Sequence, residues 1–302
     1  MKYFKKNWML YLFALPVVLW IFIFVIYPFS MNFIISMQNY SVDLGLKNSE
    51  FVGFANYVEF FGNAEWTSLL WNTMSLNVLI LVTSFPAAIF LAILLYESNS
   101  KFLKSLTQTA TFLPFFISAV VVTGVVIEFL KADTGMIVNI LVFFGFERQA
   151  LLSNPSYFRI IYALMELWQT LGYNTLIYYA ALQAIDHTLF EAARIDGASK
   201  IKQIQHITLP SISSIVIITF LLKVGRILQL GYEKVLLLQN SGNLEVSEII
   251  STYVYNYSLA PRVGLPNYGV GAVVGIFDAV VAIILIVIAN KLAKRYSESK
   301  LF

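Results

Sequence analysis

Seven polar or charged side chains lie within long apolar stretches of this chain, where each unpaired charge costs free energy. They are Glu166, Gln169, Tyr173, Asn174, Lys223, Arg226 and Asp278. On a helix, Glu166, Gln169 and Tyr173 are spaced i, i+3 and i+7 and therefore share one face. Hydrogen-bonding groups beside aromatic rings suit a polyhydroxylated ligand such as a sugar. We therefore predict that these seven residues are candidates for the lining of a solute path.

A structural role is the alternative for the same residues. Asp278 would pair with Lys223 or Arg226 and hold a helix bundle together. The aromatic side chains would mark the membrane interface, since 16% of the chain is aromatic. The basic pair Lys223 and Arg226 also suits an acidic or sulfated sugar, but ion pairing explains it equally well. Both interpretations stay open from the sequence.

Other chemistry is poorly supported by the composition. The chain has no cysteine and two histidines, His187 and His206, and it lacks a glycine-rich phosphate-binding motif. We therefore predict no catalytic residue, no metal site, no cofactor of its own and no ATP hydrolysis by this chain. The small net charge of +3 gives no reason to expect a nucleic-acid partner.

The overall composition is that of a membrane protein. Hydrophobic residues make up 59% of the 302 residues and charged residues 12%, about half the usual charged share of a soluble domain. The mean hydropathy is +0.75. A chain this apolar is expected to lie within a lipid bilayer.

Six apolar runs are long enough for helices that cross a bilayer, which requires about 20 residues. They cover residues 7–42, 66–96, 105–127, 157–185, 211–238 and 268–290. We predict an all-α integral membrane protein with six transmembrane helices. The first run exceeds the apolar part of a signal peptide, so we expect a retained helix, kinked at Pro16 or Pro28.

The basic residues orient this bundle by the positive-inside rule. With a cytoplasmic N-terminus, the inner segments carry Lys2, Lys5, Lys6, Lys101, Lys104, Arg194, Lys200, Lys202, Lys291, Lys294, Arg295 and Lys300. The outer loops carry only Lys47, Lys131, Arg148 and Arg262. An even helix number then places both termini in the cytoplasm.

A polar segment, EAARIDGASKIKQIQHITLP at 191–210, separates the fourth and fifth runs. Apolar residues at 189, 190, 193 and 195 indicate one short helix, and Ile201, Ile204 and Ile207 indicate a second. Gly197 supplies the break between them, and Pro210 starts the next membrane helix. The simplest alternative is an interfacial loop held by anionic lipid.

This segment resembles the EAA signature of ABC importer permeases. The matching residues, with the Asp-Gly-Ala variant of the carbohydrate-uptake branch, are Glu191, Ala192, Ala193, Asp196, Gly197, Ala198, Leu209 and Pro210. The resemblance implies a type I importer fold in which the loop 187–210 is a coupling helix docked in a cytoplasmic ATPase. There Glu191 would meet a basic group, and Gly197 would allow the turn.

Other stretches extend the resemblance over nearly the whole chain. FVGFANYVEFF at 51–61 and WNTM at 71–74 resemble sugar permeases, and residues 231–259 resemble a subgroup that imports complex oligosaccharides, the lipoprotein-gene-cluster permeases. Where many sugar permeases carry Gly-Gly-Pro, this chain reads Asn-Ser-Gly-Asn at 240–243, as that subgroup does. This departure favours an oligosaccharide over a simple disaccharide.

The resemblance implies a permease subunit that forms half of a translocation pathway and works by alternating access in the bacterial inner membrane. Its expected partners are a second homologous permease, two ATPase subunits that bind ATP and Mg, and an extracytoplasmic sugar-binding protein contacted by the outer loop 239–267. We expect an N-terminal helix and extracellular segment at 1–66, a five-helix core at 67–292 and a tail at 293–302.

Three other functions remain as alternatives. A permease of the same family for a non-sugar solute would share the coupling loop. A secondary transporter would use Asp278 and Glu166 as proton or ion carriers, although the internal repeats common in such folds are not evident. A structural membrane scaffold would carry no solute.

Overall fold

The computed structural model describes residues 7–63, 65–261 and 266–296. Lys2, Lys5, Lys6, Arg262 and Lys300, which contributed to the charge count above, lie outside the described residues, as does most of the expected tail. The described chain is helical apart from loops and one two-stranded antiparallel sheet. In that sheet β1 (Gln38–Asn39) pairs with β2 (Glu50–Phe51), with Gln38 opposite Phe51.

The helices are numbered in chain order. The first seven are α1 (Trp8–Ile21), α2 (Tyr27–Ile35), α3 (Gly45–Asn48), α4 (Ala55–Gly62), α5 (Trp66–Glu97), α6 (Lys101–Phe112) and α7 (Ala119–Leu130). The next five are α8 (Met136–Phe143), α9 (Pro155–Gln183), α10 (His187–Ile195), α11 (Lys200–Gln203) and α12 (Leu209–Val224). The last four are α13 (Tyr232–Leu238), α14 (Leu244–Ser247), α15 (Ile250–Val254) and α16 (Tyr268–Tyr296). Short π-helices lie at Phe22–Ile26, Ile204–Thr208 and Tyr255–Leu259, and 3-10 turns at Leu113–Phe116 and Leu151–Ser153.

Four helical stretches of the described chain are long and apolar enough to cross a membrane. They are Trp8–Ile35, Trp66–Glu97, Lys200–Val224 and Tyr268–Lys291. A fifth span results if the bent pair Lys101–Phe116 and Ala119–Leu130 is counted as one. The fourth predicted run forms α9, which is 29 residues long. Arg159 and Glu166 make it less apolar than the others.

The third predicted run differs from a single straight helix. Its two halves meet at an angle of 106°. Pro114 is buried in the 3-10 turn that ends the first half, and Ser118 caps α7 by accepting a hydrogen bond from the Val121 N–H at 3.4 Å. A proline that lacks a backbone N–H, followed by a serine cap, explains why the helix stops and restarts here.

The fifth predicted run is also broken. Helix α12 ends at Val224, and the chain makes tight turns before α13 begins at Tyr232. Gly225 follows the last helical residue, and a Cβ placed there would lie 2.6 Å from the Ile286 side chain. The break therefore lies within a segment whose apolar content alone predicted a continuous helix.

The first run is helical from Trp8 to Ile35, with a π-helical turn at Phe22–Ile26. Pro16 lies within α1, and Pro28 lies in the first turn of α2. Because a wider turn directly precedes Pro28, the residue that lacks an N–H donor coincides with the change in helical geometry.

The chain folds as two compact units. The first unit comprises residues 1–66 and 253–280. In it, the buried Asn56 side chain donates hydrogen bonds to the carbonyl oxygens of Ser36 at 2.9 Å and Gln38 at 3.0 Å. Phe61 packs edge-on against Trp66 and Phe277. These contacts hold the small sheet and α4 together.

The second unit comprises residues 67–252 and 281–302 and contains two apolar cores. One core includes Leu76, Val122, Tyr162, Val235 and Ile249. The other joins α5, α9 and α12 and includes Phe190 of α10. Phe190 thus fixes the short helix α10 to the bundle by burial of an aromatic ring.

Gly172 permits the close approach of α9 to the segment that precedes the bend. A Cβ at Gly172 would lie 2.4 Å from the Thr111 carbonyl oxygen, whereas a Cβ at Gly124 would meet nothing within 4 Å.

We expect Gly172→Ala to lower the free energy of unfolding by about 1–3 kcal/mol, because rigid backbone must move. Gly124→Ala is the matched control. Thermal unfolding of the purified protein measures both, and equal midpoints for the two variants would contradict this packing.

Candidate functional site

The second unit contains a polar cavity of about 590 Å³ between α5, α9 and the end of α12. Its lining residues are Asn77, Ile80, Leu81, Glu166, Tyr173, Ile177, Leu222, Lys223, Arg226, Ile227 and Gln229. Four of the seven predicted path residues, Glu166, Tyr173, Lys223 and Arg226, are brought together here. Glu166 and Tyr173 lie on α9, Lys223 lies in the last turn of α12, and Arg226 follows the end of that helix.

A second cavity of about 370 Å³ adjoins the first. Both cavities are lined by Asn77, Ile80, Glu166 and Gln229, and the second also reaches Tyr162 and Lys234. Glu166 therefore lies where the two cavities meet. A side chain in this position can contact a solute in either of them.

Glu166 forms an ion pair with Lys234, with 2.5 Å between Oε2 and Nζ. The Glu166 and Lys234 side chains are 21% and 16% exposed, so both are largely withdrawn from solvent. Lys223 and Arg226 form no ion pair within the described residues. Since Glu166 is compensated by Lys234, the two remaining cations give the cavity a positive charge excess.

The broken helix explains how these cations reach the cavity. Between Val224 and Tyr232 the chain forms tight turns. In these turns the Arg226 N–H donates a hydrogen bond to the Lys223 carbonyl at 3.1 Å, and the Gln229 N–H donates one to the Arg226 carbonyl at 2.9 Å. Non-helical backbone at membrane depth is tolerated where it lines a cavity or is buried in protein. Discontinuous helices with unwound backbone are also typical of transport sites.

Tyr173 presents an aromatic ring at the cavity wall. One face of the ring stacks on Phe115, with centroids 4.2 Å apart and planes at 3°. The side chain remains exposed despite this contact. The stacking on Phe115 fixes the plane of the Tyr173 ring. The exposed part of the ring can then pack against the apolar face of a sugar.

The other predicted path residues lie elsewhere. Gln169 is buried and donates a hydrogen bond through Nε2 to the Ile117 carbonyl at 2.9 Å, so it ties α9 to the bend after α6. Asn174 is half-buried and does not line either of the two cavities. Asp278 belongs to the other unit, and its buried Oδ1 has no hydrogen-bond partner among the described residues.

Among the cavity residues that were absent from the predicted set, three bear directly on the polar character of the site. Asn77 and Gln229 line both cavities, and Lys234 supplies the counter-charge of Glu166. Sequence spacing alone does not pair Glu166 with Lys234, which is 68 residues away and follows the helix break. Two glycines six residues apart within an apolar run, Gly225 and Gly231, are the available signal for the break.

The polar segment after α9, residues 187–210, forms a helical hairpin in which α10 and α11 are joined by a turn at Gly197. Asp186 caps α10 by accepting a hydrogen bond from the Thr188 N–H at 2.9 Å, and this bond lowers the pKa of the Asp186 carboxyl. At the other end of α10, the Gly197 N–H bonds to the Arg194 carbonyl at 3.0 Å and the Ala198 N–H to the Ala193 carbonyl at 2.8 Å. This pair of bonds is a Schellman motif.

Gly197 has φ of +74°, which a residue with a Cβ rarely adopts. Ser199 then caps α11, and the buried Gln203 donates to the Ala198 carbonyl at 2.9 Å. The prediction of two short helices joined at Gly197 is therefore confirmed in its geometry. The second helix differs in one respect, because helical turns continue without a break from Lys200 to Val224 through the π-helix at Ile204–Thr208.

The signature residues of the hairpin are mostly exposed. Glu191, Ala192, Asp196, Gly197, Leu209 and Pro210 are exposed, and Ala193 and Ala198 are half-buried. Ile195, which lies beside Asp196, is 87% exposed. Phe190 by contrast is buried in the bundle. Phe190 thus anchors the hairpin to the helix bundle, whereas the charged and apolar groups of Glu191, Asp196 and Ile195 are accessible at its surface.

Apolar spanning helices, a polar cavity at a helix break and an exposed structured hairpin together define a membrane transport permease. A family model described as a binding-protein-dependent transport system inner membrane component matches residues 84–298. The chain belongs to this family.

Two relatives from Bacillus subtilis strain 168 are similar along nearly their whole length. The polygalacturonan/rhamnogalacturonan transport system permease protein YteP is 39% identical, with 97% of this chain and 90% of that protein covered. Protein LplB is 36% identical, with 99% and 92% covered. A bacterial alginate ABC transporter, solved in complex with a periplasmic protein that holds an alginate pentasaccharide, contains a chain with a TM-score of 0.88. That chain is 32% identical, and 99% of each chain is covered.

The ion pair in the cavity should be energetically coupled. Lys234→Gln leaves the Glu166 carboxylate without its partner, and we expect a stability loss of about 1–3 kcal/mol. Glu166→Gln together with Lys234→Gln should recover some of this loss, since neither charge then remains. Thermal unfolding of the single and double variants measures the coupling. Glu128→Gln, in the exposed pair with Lys131, is the control and should change little. Strictly additive losses would contradict the pairing.

Proposed function

We propose that this chain is a permease subunit of an ATP-driven importer for an oligosaccharide and forms half of its translocation pathway. The observation that carries the proposal is the polar cavity at the broken helix, which combines an aromatic ring, amides and charged groups in one wall. The membership of the chain in the permease family and the sugar cargoes in the names of its relatives support the same conclusion.

The charge excess of the cavity favours an acidic oligosaccharide. Lys223 and Arg226 are the two cations that Glu166 does not neutralise by an ion pair. A guanidinium and an ammonium can each hold a uronate carboxylate by charge-assisted hydrogen bonds. Relatives named for polygalacturonan and alginate transport handle polymers of this charge type.

The alternative functions fit the cavity less well. A secondary transporter that uses Asp278 and Glu166 as ion carriers needs both carboxylates on one path, whereas Glu166 lines both cavities and Asp278 lines neither. A scaffold without cargo gives no reason for a broken helix, nor for two cations at a cavity wall that form no ion pair with the described residues.

The exposed side of the hairpin is the proposed contact with a cytoplasmic ATPase. The Schellman motif and Asp186 cap make α10 rigid, and the exposed Glu191, Asp196 and Ile195 supply charge and apolar area. Helix Lys200–Val224 then connects this contact to the cations at the cavity. Closure of two ATPase subunits around ATP and Mg would move the hairpin, and the helix would transmit the movement.

The proposed topology has six membrane-spanning segments, with both termini in the cytoplasm of the bacterial cell. Helix α9 is the sixth span, since 29 residues extend about 43 Å. A second homologous permease would complete the pathway beside residues 67–292, and an extracytoplasmic binding protein would meet the outer loop 239–267. The N-terminal region, residues 1–66, and the tail, residues 293–302, complete the proposed organisation.

The turn at Gly197 tests coupling to the ATPase. Gly197→Val forces a β-branched residue into a left-handed conformation at a cost of about 1–3 kcal/mol, so the hairpin should change shape. We expect membrane insertion to persist while sugar uptake is lost and ATP hydrolysis no longer responds to cargo. Glu191→Lys should have the same effect by charge reversal.

Gly145→Val is the matched control for Gly197→Val. Gly145 also has a positive φ, at +90°, and a Cβ there would meet nothing within 4 Å. It lies in the proposed outer loop after α8, so uptake should persist. Uptake at the wild-type rate in Gly197→Val and Glu191→Lys would overturn the role of the hairpin.

The cations of the cavity test the acidic cargo. Lys223→Gln and Arg226→Gln should each lower uptake of a galacturonate oligosaccharide about tenfold, because one charge-assisted contact is lost. Uptake of a neutral oligosaccharide, if the transporter accepts one, should fall much less. Lys47→Gln, an exposed cation outside the cavity, is the control. Equal losses for all three variants, or none, would argue against carboxylate recognition here.

A further inference from the structure

A separate polar cleft lies where the end of α5, the start of α6 and the hairpin helix α10 meet, all within the second unit. It has a volume of about 210 Å³. Its lining residues are Tyr96, Glu97, Asn99, Lys104, Gln183, His187, Phe190, Arg194 and Lys200. None of these residues lines the two cavities described above, so the cleft is a distinct site.

The cleft carries more positive than negative charge. Lys104, Arg194 and Lys200 are its cations, and Glu97 is its one carboxylate. Glu97 forms an ion pair with Lys200. Lys104 and Arg194 form no ion pair with any described residue. Glu97, the only carboxylate among the described residues that line the cleft, is paired with Lys200. Lys104 and Arg194 therefore favour an anionic ligand.

The surroundings of the cleft indicate that this ligand is a lipid. Tyr96 is the penultimate residue of the apolar helix α5, where tyrosine typically marks the membrane interface. On α6, Phe102, Leu103 and Leu106 are exposed, with Phe102 at 73%. Lys101 and Lys104 lie on the same helix. A helix with an exposed apolar side and basic residues on its other side is typical of the level of the lipid headgroups.

We infer that this cleft binds the headgroup of an anionic phospholipid. The phosphate accepts hydrogen bonds from the Arg194 guanidinium and the Lys104 ammonium. The stacked rings of Tyr96 and His187, 6.4 Å apart with planes at 6°, form one wall. The acyl chains lie along Phe102, Leu103 and Leu106. The bound lipid would thereby join α10 to α6. It would lie beside the proposed ATPase contact, because Arg194 follows Glu191 by three residues on the same helix.

The inference rests on the proposed topology, which places the hairpin at the membrane surface, but not on the identity of the cargo. Lipid binding and sugar uptake are measured separately. Normal lipid selectivity in a complex that fails to import sugar would count against the proposed function alone. Normal uptake without lipid selectivity would count against this inference alone.

The test uses the full transport complex in nanodiscs of phosphatidylcholine that contain a minor fraction of phosphatidylglycerol. Lipids that remain bound after release are counted by native mass spectrometry. We expect wild type to retain phosphatidylglycerol in preference to phosphatidylcholine. Lys104→Gln with Arg194→Gln should weaken this preference about fivefold for each cation removed. Lys104→Gln alone should show about one fivefold step, which covers the case in which the double variant fails to fold.

The matched control is Lys101→Gln with Lys202→Gln. These changes remove the same charge from two exposed lysines that do not line the cleft, on α6 and α11. The control should retain phosphatidylglycerol as wild type does. Equal losses in the two double variants, or no lipid preference in wild type, would overturn the inference.

Soluble phosphate distinguishes the two sources of the same anion. Inorganic phosphate added to the nanodiscs should not displace phosphatidylglycerol, because it lacks the acyl chains that contact α6. Sodium chloride at the same ionic strength is the control for general ionic screening. Displacement by phosphate to a greater extent than by chloride would make the ligand a soluble phosphate and overturn the assignment to a lipid.

Discussion

Charge inside an apolar helix bundle is the constraint on which the rest of this structure depends. Glu166, Lys223, Arg226 and Lys234 all lie in or beside segments that are otherwise apolar. Such charges are stable only when they are paired or face a polar cavity. The protein uses both solutions at one place. Glu166 pairs with Lys234, and the helix that carries Lys223 stops at Val224, so that the following turns line a cavity with Arg226 and Gln229.

The same helix connects this cavity to the exposed hairpin. Helical turns continue for 25 residues from Lys200, just after the Gly197 turn, to Val224 at the cavity. At 1.5 Å per residue this is a distance of about 37 Å. A rigid element with a structured surface at one end and the cavity cations at the other can convert movement of the hairpin into movement of the cavity wall. Phe190, buried against the bundle, keeps the hairpin from moving independently.

Much of this architecture is present in the sequence, because apolar length and glycine position have direct structural consequences. Runs of about 20 apolar residues predicted the long helices, and Gly197 predicted a turn that the structure forms at positive φ. The bend near Pro114 and the break after Val224 were missed. Both lie within runs whose average composition is apolar, and each depends on tertiary packing, such as that of Gly225 against Ile286.

The candidate site was predicted incompletely for the same reason. Helical periodicity placed Glu166 and Tyr173 on one face correctly, yet it also placed Gln169 there, whose amide turns instead to the Ile117 carbonyl. Helical periodicity shows which residues share a face of one helix. It does not show which neighbouring segment each of those side chains contacts. The partner of Glu166 is Lys234, which lies 68 residues away and beyond the helix break, so the pairing required the three-dimensional structure.

The central claim is that turns after Val224 line a water-accessible transport path. The chain contains no cysteine, so single cysteines can be introduced without removing any. Gln229→Cys, at the cavity wall, should react with a membrane-impermeant maleimide, and its reactivity should change when ATP is added to the complex. Val82→Cys, at an exposed apolar position on α5, should stay unreactive in lipid. A Gln229→Cys variant that remains unreactive with and without ATP, while Val82→Cys reacts, would contradict the account.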